Sequence, residues 1–214
     1  MSNTTDEIKW KDIVELYNTI KWLYAECEET DPDLNTNLQP YNEFRAALDH
    51  LMRIVAIQNL DEYKHENAEE QSRSLYGHLK RIYFDICDML SINYRNKIID
   101  LLEPYSPEEI KTAIPSYYAE MRPRIEEITS NISYCRIDGR FGGKNREYTI
   151  DSYSGVVMQL KEYCTVILRA YPSLCELHDK QIQKEKRQKR TNLFTQWIIP
   201  ICAIAVAIVI AILF

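Results

Sequence analysis

The chain ends in eighteen residues, Trp197 to Phe214, without one charged side chain, and this run constrains every other choice. As a helix rising about 1.5 Å per residue it reaches roughly 27 Å, and Phe194-Thr195-Gln196 extend it to about the ~30 Å hydrocarbon thickness of a bilayer. A core helix of a soluble domain is seldom apolar all round. The run is therefore expected to be a single transmembrane tail anchor over residues 194–214, with membrane lipid as its surroundings.

The segment before it sets an orientation. Lys180, Lys184, Lys186, Arg187, Lys189 and Arg190 face a single acid, Glu185. An excess of Lys and Arg beside a span marks the cytoplasmic side, and each such residue contributes on the order of 1 kcal/mol of attraction to an anionic leaflet. Residues 180–193 are expected to form a basic juxtamembrane leash, and residues 1–179 a cytosolic helical body. Of 26 basic and 32 acidic residues in the whole chain, the part outside this cluster keeps 20 against 31. A body that acidic is not a duplex-DNA binder. The chain's cysteines, Cys27, Cys87, Cys135, Cys164, Cys175 and Cys202, form no CxxC pair and read as reduced thiols, with neither metal nor other cofactor implied.

Helical periodicity dominates the body, and glycine is scarce, with five in the chain, so the expected fold class is all-α. A first helix is predicted over Glu7–Glu28, a second from Pro40 to Gln58, and a long third over Asp61–Leu102 with a bend near Ser91. Ser106-Pro107-Glu108-Glu109 is a helix start with a capping serine, a first-turn proline and acids on the positive end of the helix dipole. Another helix crosses Met121–Ile132. A last one runs from Ile150 to about Arg190, with Pro172 marking a kink or break. Between them lies the glycine-rich stretch Asp138 to Arg146, flanked by Tyr134–Ile137 and Tyr148–Ile150, whose strand propensity suggests a short hairpin. Arg136, Arg140, Lys144 and Arg146, interleaved with Phe141 and Tyr148, suit either a solvated connection or a site for a nucleotide or oligonucleotide activator.

On the second helix, Phe44, Ala47, Leu48, Leu51, Ile54 and Val55 are expected to form the buried stripe. Arg45, Asp49, His50 and Arg53 then fall on the opposite face, with Arg45 and Asp49 spaced for an exposed ion pair. Further on, His78 lies on the apolar side of the third helix with Arg81 and Asp85 on its shoulder. Such a row is tolerated where its members satisfy one another, so Arg45, Asp49, His50, His78, Arg81 and Asp85 are expected to form either a structural polar clasp between the two helices or a switch with two arrangements.

The stretch Tyr41 to Leu51, with Arg45 and His50 in an Arg-x4-His spacing, followed by Gly77 to Asp85, resembles HEPN-like helical domains over residues 40–90. That resemblance implies a helical domain and, in active members, a metal-independent ribonuclease in which the equivalents of Arg45 and His50 would stabilise phosphate charge and move a proton. Active members commonly carry a polar residue after the Arg. Here it is Ala46, which favours a non-catalytic relative.

In the tail, Ala203, Ala207 and Ala211 recur every four residues, a small-residue strip suited to helix–helix approach or simply part of an anchor. A small helical domain on one terminal span resembles membrane effectors of prokaryotic antiviral systems. The function expected is a homo-oligomeric, tail-anchored effector whose body senses a signal and drives membrane permeabilisation or channel opening. The alternatives are a membrane-tethered HEPN-like ribonuclease and a non-catalytic scaffold.

Overall fold

A computed structural model of the protein describes residues 9–31, 38–140 and 150–213, with side-chain surroundings omitted at 38, 133–140, 150–152, 209 and 211–213. Every regular element among the described residues is helical: α1 (Trp10–Thr30), α2 (Leu38–Asn59), α3 (Ala68–Leu102), α4 (Pro107–Ala113), α5 (Arg122–Arg140), α6 (Ile150–Leu193) and α7 (Ile199–Leu213). A 3-10 turn, Asp61–Tyr63, leads from α2 to α3, where Asn67 caps the helix by accepting from the amides of Glu69 and Glu70 at 3.0 and 3.4 Å.

The third helix is the hub. Its buried residues include the adjacent pairs Ile82 and Tyr83, Ile86 and Cys87, and Leu90 and Ser91. Adjacent residues lie about 100° apart around the axis, so α3 is enclosed over more than a single stripe. The neighbours that enclose it are α1, through Ile13, Leu16, Ile20 and Leu23; α2, through Ala47 and Ile54; and α6, through Val157, Leu160, Cys164 and Ile167. The helix runs through Ser91 without a break. Its hydroxyl donates to the Cys87 carbonyl at 2.8 Å, satisfying it inside the core without interrupting the helix.

The start of α4 follows the sequence expectation. The Ser106 hydroxyl accepts from the Glu109 amide at 3.4 Å, while Glu109 accepts from the Ser106 amide at 2.6 Å. One other expectation fails and one is narrowed. Tyr134–Ile137 continue α5 as helix, because helix already propagating from Arg122 overrides local strand propensity, and the other arm of the expected hairpin lies outside the described residues. Pro172 does not break α6: Ile167 and Leu174, both fully buried, hold the helix against the body on either side of it.

Both π turns, Tyr117–Met121 and Phe194–Ile198, sit at the same distance ahead of a proline. The residue just before each proline, Arg122 or Ile199, bonds five residues back, to the carbonyl of Tyr117 or Phe194. A proline ring collides with the carbonyl four residues earlier, and one wider turn relieves that collision while the helix continues. From Ile150 to Leu213 the backbone is thus helical without a gap. Residues 180–193 are part of this rod, so the expected leash is a helical strut.

Replacing Leu160, fully buried in α6, with alanine is expected to lose about 2–5 kcal/mol of unfolding free energy, whereas Leu193→Ala, on the exposed strut, should stay within about 0.5 kcal/mol. Thermal or denaturant unfolding of the two variants checks this.

Candidate functional site

Two features stand out: a polar clasp between α2 and α3, and the arm that carries the body's last helix toward the terminal apolar segment. The clasp follows from the face that α2 presents to α3. Ala47 and Ile54 are buried, and on the same stripe at helical spacing lie Glu43 and His50. Leu48 and Val55, expected inside, are 57% and 42% exposed. The helix is turned relative to the expected stripe, and His50 lies on the packed side instead of opposite it.

Glu43 is the centre of the clasp. Its carboxylate accepts from Arg81 Nε at 2.6 Å and lies 2.7 Å from His78 Nδ1. Burial pushes this carboxyl up, but the bonds to Arg81 and His78 outweigh it and hold Glu43 below the ordinary carboxylate range. Arg81 Nη2 also lies 2.7 Å from His78 Nδ1, so that nitrogen donates to Glu43 when protonated and accepts from Arg81 when not. The His78 ring stacks on His50 with centroids 5.2 Å apart and planes at 27°, and His50 Nδ1 lies 2.6 Å from Gln71 Oε1. The structure thus joins His50, His78 and Arg81. It adds Glu43 and Gln71, which the sequence reading missed; the Glu43–Ala47–His50–Ile54 spacing was the available signal.

Two of the expected members, Asp49 and Arg45, behave otherwise. Asp49 pairs with Arg53 at 3.1 Å and not with Arg45. An acid ahead of its base at i,i+4 is the better orientation on a helix. Arg45 is exposed and lines an apolar groove between α1 and α2, away from His50. Asp85, one turn past Arg81, is half-buried and has an interaction partner. Arg45 thus lies at the groove while His50 meets Gln71 and His78.

The arm is seated by α6. Its first turns bury Tyr153, whose hydroxyl bonds Asp88, and the Ser154 amide donates to the Tyr83 hydroxyl at 3.0 Å. Farther along, Lys161 Nζ bonds Glu26 at 2.8 Å, and Glu26 also takes the Tyr94 hydroxyl. The last grip is a collar around Tyr105, whose ring meets Tyr171 and His178 edge-on and whose hydroxyl lies 3.2 Å from Cys175 Sγ. His178 Nδ1 sits 3.2 Å from Glu109, the capping acid of α4. The Ser106 amide bond, against some burial, is the main reason the Glu109 carboxyl is held low, with His178 adding to it. Beyond Asp179 nearly every side chain is exposed. Residues 179–193 extend about 22 Å as helix before the π turn.

The helical stretch Tyr153–Ile208 contains a window long and apolar enough to cross a membrane, and none of that window is buried. Ala203 and Ala207 are exposed on α7, and Ala211 follows in the same helix. Arg136 and Arg140 fall at the end of α5, while Lys144 and Arg146 lie outside the described residues. Among the described residues no cluster of His, Cys, Asp or Glu is arranged to hold a metal ion. Comparison with models of protein families, with curated proteins and with solved structures gives no match.

A carboxyl whose pKa is lower folded than unfolded stabilises fully above the unfolded value of ~4.3 and loses that contribution as pH falls toward the folded value. Thermal stability of the wild type should therefore decline below about pH 4.3, and Glu43→Gln should be less stable at neutral pH with a shallower acid decline. His50→Ala, which strands Gln71, is expected to lose about 1–3 kcal/mol in the same melts.

Proposed function

We propose that this chain is a single-pass, tail-anchored membrane effector. Its helical body lies in the cytosol, assembles with further copies of itself, and transmits a rearrangement through α6 into a span that permeabilises the membrane. The observation that carries the reading is the continuity of the arm: one helical stretch both buries Val157, Leu160 and Ile167 against α3 and supplies the exposed apolar window. A flexible tether would anchor the body but would lose torque and displacement within a few residues, whereas an unbroken helix passes both on. The basic residues from Lys180 to Arg190 favour the cytosolic side for the body, and the Ala203–Ala207–Ala211 spacing favours close packing of spans.

This class of action is the one expected of membrane effectors in prokaryotic antiviral systems, with an anionic nucleotide or oligonucleotide as activator near Arg136, Arg140, Lys144 and Arg146. The ribonuclease alternative is the weaker one. Its proton-transfer residue, His50, is committed to Gln71 and His78, and Arg45 points to a different face.

Inserting six Gly-Ser residues after Gln181 separates the two parts mechanically while leaving the span intact. Cells expressing the wild type should lose membrane potential. The insertion variant should still fractionate with membranes but cause no leakage, and a chain ending at Arg190 should be harmless and unanchored. Undiminished leakage from the insertion variant would refute mechanical coupling. Toxicity of the tail-less chain without depolarisation, together with RNA cleavage lost in His50→Ala, would favour the ribonuclease.

A further inference from the structure

Arg45 and its neighbours on α2 carry a second apolar stripe that faces away from α3. Tyr41, Leu48, Met52 and Val55 are 63%, 57%, 56% and 42% exposed, and together with Arg45 they recur at alternating steps of four and three. That is the a/d pattern of a helix seam, with Arg45 and Met52 at a and Tyr41, Leu48 and Val55 at d. Beside it, Trp10, Val14 and Tyr17 of α1 are also about half exposed. Between the two helices runs a groove of about 630 Å³ floored by Leu75 and Leu79 of α3. Ridge and groove lie side by side on one face, which is the arrangement a self-complementary twofold contact needs.

We propose that this face is the interface between two copies of the chain, with their α2 helices packed antiparallel about a twofold axis at Leu48. Charge selects both the occupant and the direction. Arg45 is the only charged side chain lining the groove and makes no hydrogen bond or ion pair with another described residue. Parallel pairing in register would set Arg45 against Arg45 of the second copy. Antiparallel pairing centred on Leu48 puts Tyr41 opposite Val55 of the second copy and brings Arg45 within a turn of its Asp49, an acid already on the edge of the seam and 63% exposed. The size fits as well. Seven side chains near half exposure present on the order of 80–100 Å² each, roughly 600–700 Å² per copy, close to the ~800 Å² per partner of a standard interface. The inference deepens the self-assembly proposed above and rests on it.

The test uses the full chain in detergent with Cys202→Ser. Leu48→Cys should crosslink to itself on mild oxidation, and Tyr41→Cys should crosslink with Val55→Cys when the two are mixed but not with itself. Arg45→Glu and Asp49→Arg should each reduce the Leu48→Cys crosslink about tenfold through like-charge contact, and the combined exchange should restore it to within about twofold of the starting level. Restoration cannot come from an unfolded chain. No crosslink in Leu48→Cys, self-crosslinking in Tyr41→Cys, or protection of the Leu48→Cys thiol only on addition of lipid vesicles would overturn the proposal, the last by assigning the face to a membrane surface. Crosslinking reports the seam and leakage reports the span, so failure here is distinguishable from failure of the proposed function.

Discussion

The packing of α6 against α3 is the interaction on which the rest of this molecule depends. Val157, Leu160 and Ile167 are fully buried there, next to Ile82, Ile86 and Leu90 of α3, which are equally enclosed. Without that contact α3 would expose an apolar side to water, and the arm would have no fixed direction. With it, the body's core and the chain's membrane-competent segment become parts of one rod. The polar bonds around it, Lys161 to Glu26 and Ser154 to Tyr83, restrict rotation and sliding at little cost because each buried polar group is answered.

The clasp between α2 and α3 has a different character. Glu43 receives two donors on a half-buried carboxylate, with His78 able to bond in either protonation state. Truncating one member leaves the others without partners in a poorly solvated place, so the clasp fixes the rotation of α2. That rotation in turn decides which side chains of α2 are left outside. Glu43 and His50 point to α3, and so Arg45, Leu48 and Met52 must point away from it. Core geometry thereby dictates the chemistry of the outer face.

Much of the fold was legible because it is written locally. The capping box at Ser106, the helical period of α1 and α3 and the uncharged terminal run each need only a few neighbouring residues to be recognised. The facing of α2 was not legible for a physical reason: apolar residues cover both the Ala47–Ile54 side and the Leu48–Val55 side, so periodicity finds two stripes and cannot rank them. Reading both as one broad buried stripe placed His50 on the wrong face and hid Glu43. At Pro172 and Pro200 local chemistry argues for interruption, but burial on both sides of the first and a single wide turn before the second let the helix continue. In Tyr134–Ile137, strand propensity lost to the helix already formed ahead of it.

An unbroken helix from core to terminal apolar segment is tested most directly by a distance across the strut. Spin labels at Leu168→Cys, on the exposed side of α6 within the body, and Asn192→Cys, at the strut's far end, in a full chain carrying Cys202→Ser, are separated by 24 residues of helix. A continuous rod predicts a single narrow distance distribution centred near about 36 Å in lipid nanodiscs. A broad distribution, or a maximum well short of that value, would show a hinge or flexible leash and contradict the account.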